Sequence, residues 1–117
     1  MLAAGRAADA ERAFAEAEEE YGRRRDQAMT ARVKAERARA VCELGRREEG
    51  LALLGESAAT LRAAGDLQIL AGCLLTLVER SEPSQHEAYL DEVDELLALL
   101  DMPGIRRRRQ LMRPAEG

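Results

Sequence analysis

The chain has 117 residues, enough for one compact domain with its own core and too few for a second. Hydrophobic residues make up 46% and charged residues 34%, which argues against disorder; aromatics at 3% leave Leu, Ala and Val to fill any core. The net charge is −4 with both signs mixed along the chain, so no overall field draws in nucleic acid, and no run nears the ~18 apolar residues of a membrane helix.

Apolar residues recur at helical spacing almost throughout and nowhere alternate as in a strand, which predicts an all-α fold. A first helix is expected over about residues 6–25, with Ala10, Phe14, Ala17 and Tyr21 as its inner stripe. On its outer face Glu19 precedes Arg23 and Glu20 precedes Arg24 by four residues, and Arg23-Arg24-Arg25 falls where cations suit the helix dipole. Asp26 then reads as the N-cap of a second helix, about 27–44, with Met29, Val33, Ala38, Val41 and Leu44 inward and Gly45 as its stop. A third helix, about 47–64, carries Leu51, Leu54, Ala58 and Leu61 before Gly65 and Asp66 repeat the stop and cap.

The fourth, about 67–80, is apolar on most sides (Leu67, Ile69, Leu70, Cys73, Leu74, Leu77, Val78) and belongs in the middle of the packing. Pro83 ends it near Ser81, and Ser84 with Glu87 reads as a capping box for a fifth helix, about 85–100, with Leu90, Val93, Leu96, Leu97 and Leu100 inward. Met102-Pro103-Gly104 should end that helix. A short sixth segment, 105–112, has little apolar surface to hold it down. The expected division is therefore a helical domain over residues 1–104 and a basic C-terminal tail over 105–117, partly helical or disordered.

The first and third helices share a register. Gly5 and Gly45, Ala10 and Gly50, Phe14 and Leu54, Ala17 and Ser57, Tyr21 and Leu61, and Asp26 and Asp66 each stand 40 apart, which suggests repeated helix pairs. Val41-Cys42-Glu43-Leu44-Gly45-Arg46-Arg47-Glu48-Glu49-Gly50-Leu51-Ala52-Leu53-Leu54 resembles the tetratricopeptide repeat family in a degenerate form. There a Gly closes helix A, and a small residue five positions later, here Gly50, lets helix B approach. Leu54 and Ser57 take the family's next large and small positions, and Gly5, Ala10, Phe14 and Ala17 match likewise. The chain departs from the family in having no Trp at the start of helix A, in Arg37 where Leu is preferred, in Gly65-Asp66 where Pro separates repeats, and in its longer period.

The resemblance implies about five antiparallel helices in a short right-handed solenoid, acting as a protein-interaction scaffold or sensor in a bacterial regulatory system. It also implies a groove lined by helix A residues Arg32, Ala35, Arg39, Cys42 and Glu43, with Arg32 and Arg39 favouring an acidic protein or peptide. The ends of a short solenoid expose apolar surface, which homodimerisation or a partner would cover.

Nothing in the sequence assembles a catalytic site, so an enzyme is not expected. The one histidine, His86, rules out the paired histidine motifs of di-iron bundles, and no phosphate-binding glycine loop is present. Glu18-Glu19-Glu20 and Asp91-Glu92-Val93-Asp94-Glu95 lack calcium-loop spacing and read as solvated faces, while Cys42 and Cys73 read as small packed side chains in a reducing cytoplasm. No cofactor or metal is expected. Residues 1–12 have no apolar run of signal type, so the cytoplasm is the expected location and no membrane the expected partner.

The tract Arg106-Arg107-Arg108-Arg109 is a candidate anion contact. Arginine is nonetheless abundant throughout a chain with a single Lys (Lys34) and no Asn, a composition that fits a GC-rich genome. Two other functions stand beside the interaction module: a self-assembling helical bundle forming a homodimer, and a nucleic-acid-associated regulator using that tract. Nucleic acid is disfavoured because stacking aromatics and a DNA-reading motif are both missing.

Overall fold

The computed structural model describes the backbone of residues 2–112 and the side chains of residues 5–112. Among the described residues there are six α-helices and no strand: α1 Leu2–Arg23, α2 Gln27–Glu43, α3 Arg47–Ala64, α4 Leu67–Arg80, α5 His86–Leu99 and α6 Pro103–Leu111, with a 3-10 turn at Pro83–Gln85. None of these helices is long and apolar enough to cross a membrane. The chain divides into two compact units, Met1–Asp66 and Leu67–Gly117. Residues 113–117 of the expected basic tail lie outside the described residues.

In the first unit α2 packs against both α1 and α3. Three successive stops are built alike. The amide of Asp26 donates to the Tyr21 carbonyl at 3.0 Å, that of Arg46 to Val41 at 3.1 Å, and that of Asp66 to Leu61 at 3.0 Å. One residue earlier, the amides of Arg25, Gly45 and Gly65 donate to Gly22, Cys42 and Arg62. This pattern, which recurs every twenty residues (26, 46, 66), satisfies the last carbonyls of each helix and needs a left-handed residue at its corner. Those corners are Arg25 (φ 59°), Gly45 (φ 88°) and Gly65 (φ 77°). Arg25 therefore lies past the end of α1 rather than on its last turn.

Asp26 caps α2 as expected, its Oδ1 accepting from the Met29 amide at 3.1 Å. At the matching place before α3, Arg46 makes no cap and instead donates to Glu49 at 2.9 Å and to Glu11 of α1 at 3.0 Å. Glu48 and Glu49 then supply the acidic first turn that the helix dipole favours.

The ion pairs define the register. Glu11 with Arg46 and Glu18 with Arg37 set α1 and α2 antiparallel, and Lys34 with Glu56, together with Cys42 against Gly50, does the same for α2 and α3. The inner wall of α2 differs from expectation. Met29 and Val33 are half-buried, while Ala31, Ala35, Ala38, Ala40 and Val41 are buried. A helix sandwiched between two others turns its smallest residues to both neighbours, because interaxial distance depends on side-chain size. Register partners also differ in burial: Phe14, Ala17 and Tyr21 are half-buried, whereas Leu54, Ser57 and Leu61 are buried. The outer pairs Glu19–Arg23 (4.0 Å) and Glu20–Arg24 (3.0 Å) are present.

In the second unit α4 is buried on almost every side, from Leu70 and Ala71 through Cys73, Leu74, Leu75, Thr76, Leu77 and Val78, and it packs with α5. The expected capping box is replaced by the 3-10 turn. Gln85, not Ser84, precedes α5 and makes no side-chain cap, because Pro83 opens a tight turn in which the Gln85 amide donates to Glu82 at 2.9 Å. His86 Nε2 shares a hydrogen bond with the Ser81 carbonyl at 3.0 Å, which ties the turn to the end of α4. Leu100, expected inward, is extended and exposed, while Met102 is buried. Pro103 does more than stop α5: it stands in the first turn of α6, where its missing amide hydrogen is harmless.

Acid should loosen the exposed pairs of the first unit. The Arg23 and Arg24 guanidinium groups hold Glu20 below its ordinary value of 4.5, and Arg46 does the same for Glu49. A carboxylate lowered in the folded state contributes stability above its unfolded pKa and loses it as pH falls through the folded one. The melting temperature should thus hold from neutral pH to about 5 and decline below 4.5, with a shallower decline in Arg46→Gln; an acid-independent melting temperature would refute it. Solvent screening at these exposed sites keeps the effect small.

Candidate functional site

The first unit contains a cleft of about 610 Å³ formed by the end of α1, the first half of α2 and the last turns of α3. Small residues hollow it: Gly22 on α1, Ala31 on α2, and Ala59 and Ala63 on α3. A Cβ added to Gly22 would meet nothing within 4 Å, so the cleft is open at that wall. Gln27, Thr30, Ala31 and Lys34 follow helical spacing and share one face of α2, where Gln27 and Thr30 offer hydrogen-bonding groups. The charged members of the wall are Arg25 and Lys34, and no carboxylate lines it.

A second cleft, of about 620 Å³, adjoins it along the α1–α2 seam and shares Gly22 and Thr30. Its charge is reversed. Glu16, Glu18 and Glu19 line it, with Arg37 opposite. Glu18 links the two: its carboxylate accepts from Arg37 Nε at 2.8 Å and lies 3.8 Å from Lys34 Nζ, all three side chains being about four-fifths buried. Lys34 also reaches Glu56 of α3 at 3.2 Å, so the chain's one lysine is tied to both neighbouring helices.

The residues implied by the family resemblance lie elsewhere on α2. Arg32, Arg39 and Glu43 are exposed and share with Glu36 an open face away from the cleft. Charges alternate along that face, with Arg39 3.9 Å from Glu36, and Arg32 Nη1 3.7 Å from Met29 Sδ. Ala35 is buried, and the Cys42 thiol backs against Gly50 of α3. These five residues thus belong to two faces, one solvated and one packed.

The C-terminal arginines are largely engaged. Arg109 grips Asp94 of α5 through two hydrogen bonds, at 2.8 and 3.0 Å, which also raise the guanidinium pKa. Arg108 donates to Glu79 of α4 at 3.3 Å, Arg106 lies 3.5 Å from the Leu97 carbonyl, and Arg107 is exposed. Ion pairs therefore add to the attachment of α6, whose half-buried Ile105 lies beside Gly72 of α4, and the contacts of Arg109 with Asp94 and Arg106 with the Leu97 carbonyl place it antiparallel to α5.

Sequence reasoning passed over Gly22, Arg25, Thr30 and Lys34. One signal was available: in the twenty-residue register Arg25 occupies the place of Gly45 and Gly65. No protein-family model matches the chain, and no curated protein or solved structure matches it significantly. Among the described residues no group of three or more His, Cys, Asp or Glu is placed to hold a metal ion.

Proposed function

We propose that this chain is an interaction module of tetratricopeptide type, its helix pairs stacked as a short right-handed solenoid, and that it holds a segment of another protein in the cleft of the first unit. Support for the repeat comes from the identically bonded stops at Asp26, Arg46 and Asp66. The observation that carries the function is the cleft of about 610 Å³, hollowed by Gly22, Ala31, Ala59 and Ala63 and edged by hydrogen-bonding groups. Concave sites with small apolar walls and a few convergent polar groups are where proteins hold ligands. Three short side chains and one missing side chain at a helical seam leave room for ligand side chains without moving the backbone.

Gly22→Trp tests this directly. The position is helical, its φ is not left-handed and open space surrounds it, so the indole should fill the cleft without disturbing the core. The full chain is immobilised and panned against a random peptide library, with circular dichroism as the check on folding. The wild type should enrich a related set of peptides, and Gly22→Trp, folded equally well, should lose them. Enrichment by both proteins alike, or by neither, would remove the cleft as a binding site.

A further inference from the structure

Of three equivalent left-handed corners in the first unit, two are glycine and the third is Arg25. An L side chain is disfavoured there by contact between Cβ and the backbone, and glycine escapes that contact. Nothing internal repays the strain: among the described residues the Arg25 guanidinium makes no ion pair or hydrogen bond, and Arg25 is instead one of the residues lining the cleft. A strained residue whose side chain serves no internal contact and faces a cavity points to work done on a ligand.

We propose that Arg25 anchors an acidic segment of a partner protein in this cleft, and that the neighbouring glutamates fix the order of charges along that segment. The inference rests on the cleft being a binding site and goes further by naming the chemistry of its occupant. Arg25 is the cation of the wall without a carboxylate partner among the described residues, because Lys34 is balanced by Glu18 at 3.8 Å and Glu56 at 3.2 Å. Lys34 is held on both sides, by the four-fifths-buried Glu18 and by Glu56, which is 60% exposed, so it shapes the wall and leaves Arg25 as the cation open to a ligand carboxylate. A guanidinium offers a carboxylate two parallel hydrogen bonds, which gives direction as well as charge.

The adjoining cleft supplies the second half of the recognition. A ligand that continues along the α1–α2 seam past Gly22 and Thr30 meets the exposed Glu16 and Glu19, and beside them Glu18, whose charge Arg37 and Lys34 already balance. More acid is repelled there, and basic or neutral residues are accepted. A nucleic-acid backbone, negative at every step, satisfies one cleft and is rejected by the other. The occupant is therefore a peptide with an acidic block beside a basic one.

The test uses the full chain and three fluorescent peptides of equal length: an acidic block joined to a basic block, the same residues in alternating order, and a neutral Ser/Ala peptide. A single-stranded DNA oligonucleotide is the fourth probe, with anisotropy as the readout. The block peptide should bind about tenfold tighter than the alternating one and should weaken about tenfold in Arg25→Gly. The same variant relaxes the corner, so its melting temperature should rise by about 3 °C. Binding and stability thus move in opposite directions, which a merely structural Arg25 would not produce.

Equal affinity for all three peptides, sensitive to Gly22→Trp, would overturn the charge inference and leave the cleft as a site. Unchanged affinity in Arg25→Gly, a lower melting temperature in that variant, or DNA as the tightest ligand would overturn it as well. Failure of every probe, together with an empty library selection, would remove the cleft reading itself.

Discussion

Gly50→Val should destabilise the chain by about 3 kcal/mol in urea unfolding, the upper end of what overpacking a close helix contact costs. A Cβ at this position would strike the Cys42 thiol, which can rotate, and would sit 2.9 Å from the Ala38 carbonyl, which cannot. To admit it, α3 must back away from α2, and the buried contacts of Ala38 and Leu54 loosen with it. A branched side chain also gains little helix propensity to offset the clash. Gly55 is the internal control, on the same helix but exposed and with nothing within 4 Å of an added Cβ. Gly55→Ala should stabilise by up to about 1 kcal/mol, the propensity difference alone. If the two substitutions moved stability in the same direction, the close approach of α2 and α3 at Gly50 would be wrong.

The contrast between those two glycines shows where the sequence was readable. The helix ends marked by Asp26, Gly45, Gly65 and Pro83 were, because these residues act through local backbone chemistry that neighbours cannot change. The beginning of α1 was not: residues 2–5 carry neither cap nor stripe, and their helicity rests on alanine propensity. The wall of α2 was misread for a related reason. Periodicity picks out the bulky Met29 and Val33, yet a helix with neighbours on two sides turns Ala31 and Ala35 inward.

Arg25 was hidden because arginine is a good helix former, and only the turn as a whole forces it into the left-handed region. The attachment of α6 depends on pairs made with residues 29 and 15 positions earlier, Glu79 and Asp94, which no local pattern discloses. The cleft was the least legible feature of all. It is made by what Gly22, Ala31, Ala59 and Ala63 lack, and side chains missing or cut short on three separate helices leave no motif.

Along one buried stripe of α3, three truncations to alanine should give stability changes of alternating sign. Leu54 is 1% exposed and Leu61 is 0%, so Leu54→Ala and Leu61→Ala should each lose about 3 kcal/mol, from lost transfer energy and the cavity left behind. Ser57, between them and 0% exposed, has a hydroxyl with no hydrogen-bond partner among the described residues. Burying an unsatisfied hydroxyl carries a desolvation penalty of about 1–3 kcal/mol. Ser57→Ala removes that group, improves helix propensity and opens a space smaller than one methyl, so it should gain about 1 kcal/mol. At this chain length 1 kcal/mol corresponds to about 4 °C, which differential scanning calorimetry resolves for all three variants. A loss at Ser57 comparable to the leucines would mean that its hydroxyl is hydrogen-bonded in solution; a gain would show that the hydroxyl is buried without a partner and that the site needs only a small side chain.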